Sequence, residues 1–242
     1  MMTRRIDIIM VNEYIENPKM KGSGVLGCIP QTGTCPIKCV DCFFQSGRSY
    51  LEPLSENLPN IPSIELAKGK IVRINDGNDS NHERDLVVFV AEQYEDYFYN
   101  TSINKDIEGF KAPVVLTVNP GEMTDNDFHK SQAKNLMFVR ARVNIWNLPL
   151  IDAIIDFYKN ICPVVLTFMA YYTETIPELC RDKYEFKKRV LNSYYCLKPE
   201  YLQEIKERYE AFEWVYYCNS GACIDCNNCK ELYLKKKEEL NG

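Results

Sequence analysis

The chain has 242 residues, 45% of them apolar, a formal net charge of −5 and a pI of about 5.3. This composition predicts one packed domain with an appendage and argues against disorder. The acidic balance argues against a broad basic surface for nucleic acid. Acidic residues interrupt the short apolar run at the start, and no later apolar run is long enough to span a bilayer. We therefore expect a cytoplasmic protein with no signal peptide and no membrane span.

Six β-rich segments are predicted, and helical segments alternate with several of them. The predicted strands are Gly24–Ile29, Lys70–Asn75, Tyr97–Ser102, Pro113–Asn119, Leu136–Asn144 and Pro163–Tyr171. The predicted helices are Asn81–Glu95, Pro149–Asn160, Lys183–Ser193 and Lys198–Glu210. This order is typical of an α/β fold, and six strands suit a partial parallel (β/α)6 barrel. Residues 1–200 are predicted to form this core, and residues 201–242 a Cys-rich extension that ends in a charged, solvated helix.

The predicted strands each have one apolar face and one face that becomes polar towards the carboxyl end. In the fifth strand, for example, the apolar face is Met137, Val139, Ala141 and Val143, and the other face is Phe138, Arg140, Arg142 and Asn144. The apolar faces should pack under the helices. The mixed faces should line a lumen with a polar mouth, which is where α/β folds bind ligands. The alternative is an ordinary sheet with its polar ends in water.

Eleven cysteines are a high number for this length, and their spacing is uneven. Seven of them form two groups: Cys35, Cys39 and Cys42 near the front, and Cys218, Cys223, Cys226 and Cys229 near the end. Closely spaced cysteines in a reducing cytoplasm bind metal more often than they form disulfides. The other four, Cys28, Cys162, Cys180 and Cys196, are expected to be small buried apolar residues.

The front group has the spacing C-x3-C-x2-C on a loop after the first predicted strand. Three thiolates at this spacing can bind three irons of a 4Fe-4S cluster and leave the fourth iron open to a small molecule. A closed zinc site needs a fourth ligand, and the two histidines, His82 and His129, lie far away in sequence. Zinc and unligated buried thiols are the alternatives.

A C-x3-C-x2-C loop at the head of a β/α chain resembles the radical S-adenosylmethionine (SAM) superfamily, over roughly residues 20–200. The resemblance implies that the open iron binds the amino and carboxylate groups of SAM. An electron from a donor such as flavodoxin or ferredoxin would then cleave SAM to methionine and a 5′-deoxyadenosyl radical. That radical would take a hydrogen atom from a small-molecule or peptide substrate, while the protein positions the reactants and excludes water.

The resemblance also implies residues for SAM binding. The Gly-Gly-Glu-like turn of the family would correspond here to Gly77, Asn78 and Asp79. Asp79 would then bind the SAM amino group. The alternative is a plain turn that caps the next helix through Ser80 or Asn81. Candidates for the rest of SAM are Asn75, Asn119, Arg140, Arg142 and Asn144. The family has an aromatic residue just before the third cysteine. This chain has Asp41 there, so Phe43 becomes the candidate for the adenine contact.

The back group places four cysteines within twelve residues, after an apparent strand at Trp214–Tyr217. Its spacing resembles ferredoxin-type loops and predicts a second, closed 4Fe-4S cluster. A structural zinc site and redox-active thiols are the alternatives. The resemblance thus implies a radical SAM enzyme with an auxiliary cluster. The competing interpretation is a non-catalytic iron–sulfur or zinc-binding module. Such a module would have little use for the open iron that the missing fourth ligand leaves at the front group.

Overall fold

The computed structural model describes residues 13–119, 123–124, 127–168, 175–188, 193–218 and 221–242. Its strands are β1 Val25–Cys28, β2 Ile71–Ile74, β3 Tyr97–Thr101, β4 Val114–Val118, β5 Leu136–Val143, β6 Val164–Phe168, β7 Tyr184–Lys187, β8 Tyr194–Leu197 and β9 Val215–Cys218. Its α-helices are α1 Leu54–Asn57, α2 Ile64–Ala67, α3 Arg84–Ala91, α4 Leu148–Tyr158, α5 Pro199–Tyr209, α6 Cys223–Cys226 and α7 Asn228–Asn241. Two 3-10 helices lie at Ile107–Gly109 and Glu178–Lys183.

The protein is an α/β fold whose main sheet curls into a half-barrel. Seven strands form it in the order β1-β2-β3-β4-β5-β6-β9, and every neighbouring pair is parallel. All six strands predicted for the core are confirmed; residues 169–171 of the last one lie outside the described residues. The seventh strand, β9, comes from the predicted extension, so that extension contributes to the core sheet.

The predicted helix at Lys183–Ser193 is wrong over its described residues. Tyr184–Lys187 forms β7 and pairs antiparallel with β8 in a separate two-stranded sheet; residues 189–192 lie outside the description. The Tyr184 side chain is buried, and its ring lies 5.7 Å from that of Trp146. Packing of this aromatic residue under the half-barrel mouth outweighs the helix propensity of the surrounding lysines and glutamate.

The strands place apolar side chains on both faces of the sheet. On the convex face, alternate residues such as Val114, Leu116 and Val118 pack under the helices. On the concave face, a second cluster contains Val25, Ile71, Phe98, Val115, Phe138 and Val165. Met137 belongs to the concave cluster, contrary to prediction. The β4–β5 register shifts there, because Val114 pairs with Leu136 while Val115 pairs with Phe138, and the extra residue changes face.

The last helix, α7, fills the amino end of the lumen. Leu232 and Tyr233 are buried against the concave cluster, and the Tyr233 hydroxyl donates to Asp96 at 2.8 Å. The prediction of a purely solvated helix is therefore wrong for this stretch, because two apolar residues in a charged tail are enough to pack it against the concave cluster. No helix in the part of the chain that the structure describes is long and apolar enough to cross a membrane.

Candidate functional site

The front cysteines lie on the tight loop that follows β1. Lys38 and Asp41 adopt left-handed backbone conformations, each with φ of 51°, and the Cys42 N–H donates to the Cys39 carbonyl oxygen at 3.2 Å. Cys35 is buried and the other two thiols are partly exposed. Burial is the main cause that raises the pKa of the Cys35 thiol to about 11; Asp79, Cys39 and Cys42 act in the same direction, and a hydrogen bond with the Ile37 backbone opposes them. The structure thus gathers all three cysteines in one short loop beside Asp79.

Two arginines bind the backbone of this loop. Arg142, at the carboxyl end of β5, donates to the carbonyl oxygens of Val40 and Asp41 at 3.3 and 3.4 Å, and to Asn119 Oδ1 at 2.7 Å. Arg48 donates to the same Asp41 carbonyl at 3.0 Å. Asp41 is one of the residue types that tolerate a left-handed conformation, which suits the backbone of this position. Arg142 and Asn119 therefore act on the cysteine loop itself.

The turn after β2 contacts the cysteine loop through Gly77 and Asn78. Asn78 Nδ2 donates to the Gly33 carbonyl oxygen at 2.8 Å. A Cβ atom on Gly77 would lie 2.3 Å from the ring of Phe44, which is fully buried. Gly77 is therefore required by the close approach of an aromatic ring, and not by a left-handed backbone. This packing fixes the turn against the segment that follows Cys42.

Asp79 is buried, and both of its carboxylate oxygens accept hydrogen bonds from the protein. Oδ1 accepts from the Asn81 N–H and the Thr101 hydroxyl, both at 2.8 Å. Oδ2 accepts from the Ser102 N–H at 2.6 Å and its hydroxyl at 3.0 Å. These bonds join the turn to the end of β3. The predicted contact with the SAM amino group stays a prediction, and the observed bonds already give this carboxylate a structural role.

The remaining candidates for SAM binding lie along β5, directly after β2 and β5, and on the cysteine loop. Asn75 has a left-handed backbone with φ of 60°, and its Nδ2 donates to Ser80 at 3.3 Å. Arg140 donates to Asn100 Oδ1 at 3.1 Å. The ring of Phe43 is 42% exposed beside Cys42, where a planar group could stack on it. Asn144 is buried at the carboxyl end of β5.

Buried polar atoms without a hydrogen-bond partner occur on several of the described side chains, and three of these atoms lie along or directly after β2 and β6. They are the Nε of Arg73, the Oδ1 of Asn75 and the Oγ1 of Thr167. A buried polar group left unpaired costs free energy, so such atoms commonly meet a ligand or water. Arg73 lies in β2, Asn75 directly follows it, and Thr167 lies in β6. A polar ligand or water on the concave face would satisfy them.

The back cysteines lie inside the same lumen. Cys218 ends β9 and pairs with Thr167, while Cys223 and Cys229 pack against the concave apolar cluster. The Cys223 N–H donates to the Lys19 carbonyl oxygen at 2.6 Å, which joins the segment after β9 to the segment before β1. The Cys218 thiol donates to Cys226, which raises the pKa of Cys218 and lowers that of Cys226 to about 7. The four cysteines therefore gather beside the middle of the sheet.

Two buried arginines face these cysteines. Burial lowers the pKa of Arg73, but Cys229, Asp76, Cys223 and Cys218 outweigh it, and the net pKa is raised. For Arg140, burial and the neighbouring charge of Arg73 together lower the pKa. Sequence reasoning did not single out Arg73. Its place between lumen-facing Ile71 and Asn75 was the feature that could have identified it.

The donor sets suit thiolate-bound metal at both groups. Each group is all sulfur, and the back group also lies next to two guanidinium groups that favour an anionic centre. In the described ranges no three Cys, His, Asp or Glu side chains are close enough together to hold a metal ion as they stand. Thiolate sites are commonly drawn together by the metal that they bind, because a preformed site seldom exists beforehand.

The scattered cysteines are apart from both groups. Cys28 and Cys162 are buried, as predicted, whereas Cys180 and Cys196 are only partly buried. Cys196 lies in the two-stranded sheet, where its thiol is 3.8 Å from Glu185 Oε1. It therefore provides a cysteine control for experiments on the two groups.

No protein-family model, curated protein or solved structure matches the chain. The functional conclusion therefore depends on the fold and on the residues of the site.

Proposed function

We propose that the protein is a radical SAM enzyme, with a 4Fe-4S cluster bound by Cys35, Cys39 and Cys42. The observation that supports this most strongly is the placement of a three-cysteine loop at the carboxyl end of a parallel half-barrel. Ligands bind at that end in α/β folds. A loop that supplies three thiolates leaves one iron open, and an open metal position serves catalysis better than it serves a scaffold.

Under this proposal the chain divides the work among its own residues. When bound, the cluster supplies the electron that splits SAM into methionine and a 5′-deoxyadenosyl radical, which takes a hydrogen atom from the substrate. Arg142 and Arg48 fix the cysteine loop through its carbonyl oxygens. Gly77 and Asn78 fix the neighbouring turn, and the exposed ring of Phe43 offers an apolar face to adenine.

The substrate is proposed to be a small molecule or a peptide side chain. Leu232 and Tyr233 fill the amino end of the lumen, so a ligand has access from the polar carboxyl-end mouth. The unpartnered oxygens of Asn75 and Thr167 line this space. Such a set recognises a polar group and leaves little room for a folded macromolecule.

Formation of 5′-deoxyadenosine from SAM by the anaerobic, reduced protein tests the proposal. The Cys35→Ala/Cys39→Ala/Cys42→Ala variant should form none, and Cys196→Ala should match the parent. Absence of 5′-deoxyadenosine from parent protein with a reducible, fully loaded front cluster would favour the non-catalytic metal-binding module instead.

A further inference from the structure

We infer that Arg73 and Arg140 are charge-compensating residues of an iron–sulfur centre bound by Cys218, Cys223, Cys226 and Cys229, and that this centre is redox-tuned within the lumen. The inference rests on the proposed function only for the chemical identity of the centre. It assigns Arg140 to the back cysteines, whereas the sequence had indicated a SAM contact for that residue.

The position of the centre is the first observation. Cys218 is the last residue of the edge strand β9, and Cys223 and Cys229 pack on the concave apolar cluster formed by residues such as Val115 and Val165. A structural site that only folded a surface tail would lie outside the barrel. These cysteines pack on the concave face of the sheet.

The second observation is a pair of like charges on that face. Arg73 of β2 and Arg140 of β5 occupy concave positions and act electrostatically on each other. Asp76 is the carboxylate that acts on Arg73, and it also accepts a hydrogen bond from Asn17 at 2.8 Å. Two buried guanidinium groups with one nearby carboxylate leave an excess of positive charge, which is costly in a low-dielectric interior.

The third observation is that the same three thiols face both arginines. Arg140 lies 5.5 Å over the Phe138 ring, and Arg73 shares a strand face with Ile71. Phe138 and Ile71 both belong to the concave cluster on which Cys218, Cys223 and Cys229 pack, and these thiols interact electrostatically with both arginines. Four thiolates around an iron–sulfur cluster form an anionic centre, and reduction adds one further negative charge. The cationic pair therefore balances the centre and stabilises its reduced form more than its oxidised form. Net charge, hydrogen bonds to sulfur and solvent exposure are the factors that set such reduction potentials.

A neutral side chain in place of Arg73 or Arg140 would remove this balance of charge. Arg73 has an unpartnered buried Nε among the described residues, so it is available to donate to a sulfur atom. Arg140 is already oriented by Asn100 at 3.1 Å and lies 5.5 Å over the Phe138 ring. Arg73 is thus expected to act by hydrogen bond and charge, and Arg140 mainly by charge.

The experiment uses the full chain with Cys35→Ala/Cys39→Ala/Cys42→Ala, in which only the back site remains. Arg73→Met and Arg140→Met are added singly, and the midpoint potential of the remaining cluster is measured by anaerobic redox titration with absorbance and paramagnetic resonance. Both substitutions should shift the potential to more negative values, with the larger shift for Arg73→Met. Arg208→Met is the control, because Arg208 forms a half-exposed surface pair with Asp152.

Three results would overturn the inference. One is an unchanged midpoint potential in both Met variants with full iron content. The others are a front variant that is colourless and loaded with zinc, and loss of the cluster in Lys and Met variants alike. If the Met variants fail to assemble a cluster but Arg73→Lys and Arg140→Lys do, the requirement for positive charge is supported. The titration uses protein that cannot cleave SAM. Its outcome is therefore independent of the assay for SAM cleavage.

Discussion

The guanidinium of Arg142 donates through both terminal nitrogens to the carbonyl oxygen of Val40, at 3.3 Å each. Val40 lies between the second and third front cysteines, and Arg142 lies at the carboxyl end of β5, about a hundred residues further along the chain. The barrel therefore fixes the cysteine loop by a backbone contact. An arginine of the sheet thus sets the position of the front thiols through the backbone of their loop.

Replacement of Arg142 by Met should loosen this loop. Loss of the bonds from its charged donor to part-buried and buried acceptors should lower the free energy of unfolding by about 1.5–3 kcal/mol. Alkylation of Cys39 and Cys42 in metal-free protein should become faster, as read by mass spectrometry. Arg208→Met is the control, because its surface ion pair contributes less than about 1 kcal/mol. Equal alkylation rates in the two variants would contradict the role of Arg142.

Gly77→Ala should destabilise the turn after β2. The added methyl would meet the Phe44 ring at 2.3 Å, and overpacking of this kind costs about 1–3 kcal/mol. Gly33→Ala is the matched control, since nothing lies within 4 Å of its Cβ position. Chemical denaturation should show the difference. The double variant with Phe44→Leu should recover part of the loss, and equal stability of the two Ala variants would contradict the packing argument.

Asp79→Ala tests whether this carboxylate serves the fold, SAM, or both. Removal of an acceptor for four hydrogen bonds should lower the free energy of unfolding by about 3 kcal/mol. The predicted charge-assisted bond to the SAM amino group should also weaken SAM binding by roughly 1.5–3 kcal/mol, with the cluster still assembled. Calorimetry of SAM binding separates the two effects. An unchanged SAM affinity would leave Asp79 with its structural role alone.

Asp96 should make the packing of α7 against the sheet depend on pH. Partial burial raises its pKa, but hydrogen bonds from Lys237 and Tyr233 lower it below the usual value. The stabilisation is therefore present above the usual aspartate pKa and is lost as pH falls through the lowered pKa. Asp96→Asn should remove this dependence, cost about 0.5–1 kcal/mol near neutral pH and speed hydrogen exchange in α7.

The control for that substitution is Asp156→Asn, because Asp156 forms an exposed pair with Lys159 on the helix surface. Similar acid sensitivity of α7 in both variants would contradict the assignment to Asp96.

The strands were predictable because alternating apolar residues identify both faces of a half-barrel. The roles of individual polar residues were less so. Arg142 has the same sequence pattern whether its side chain meets a ligand or the backbone of a distant loop. The need for a glycine at position 77 was predictable, but its cause, the Phe44 ring, depends on tertiary packing. Leu232 and Tyr233 show the same limit, because two apolar residues in a charged helix do not identify the surface that they cover.

We propose that the front cysteines bind the cluster that cleaves SAM. Quantification of 5′-deoxyadenosine formed from SAM by anaerobically reconstituted, reduced protein tests this directly, in the parent, the Cys35→Ala/Cys39→Ala/Cys42→Ala variant and the Cys226→Ala/Cys229→Ala variant. We expect product from the parent, none above background from the front variant, and retained cleavage in the back variant. Product at the parent rate from the front variant, or its loss only in the back variant, would contradict the assignment of the SAM-cleaving site.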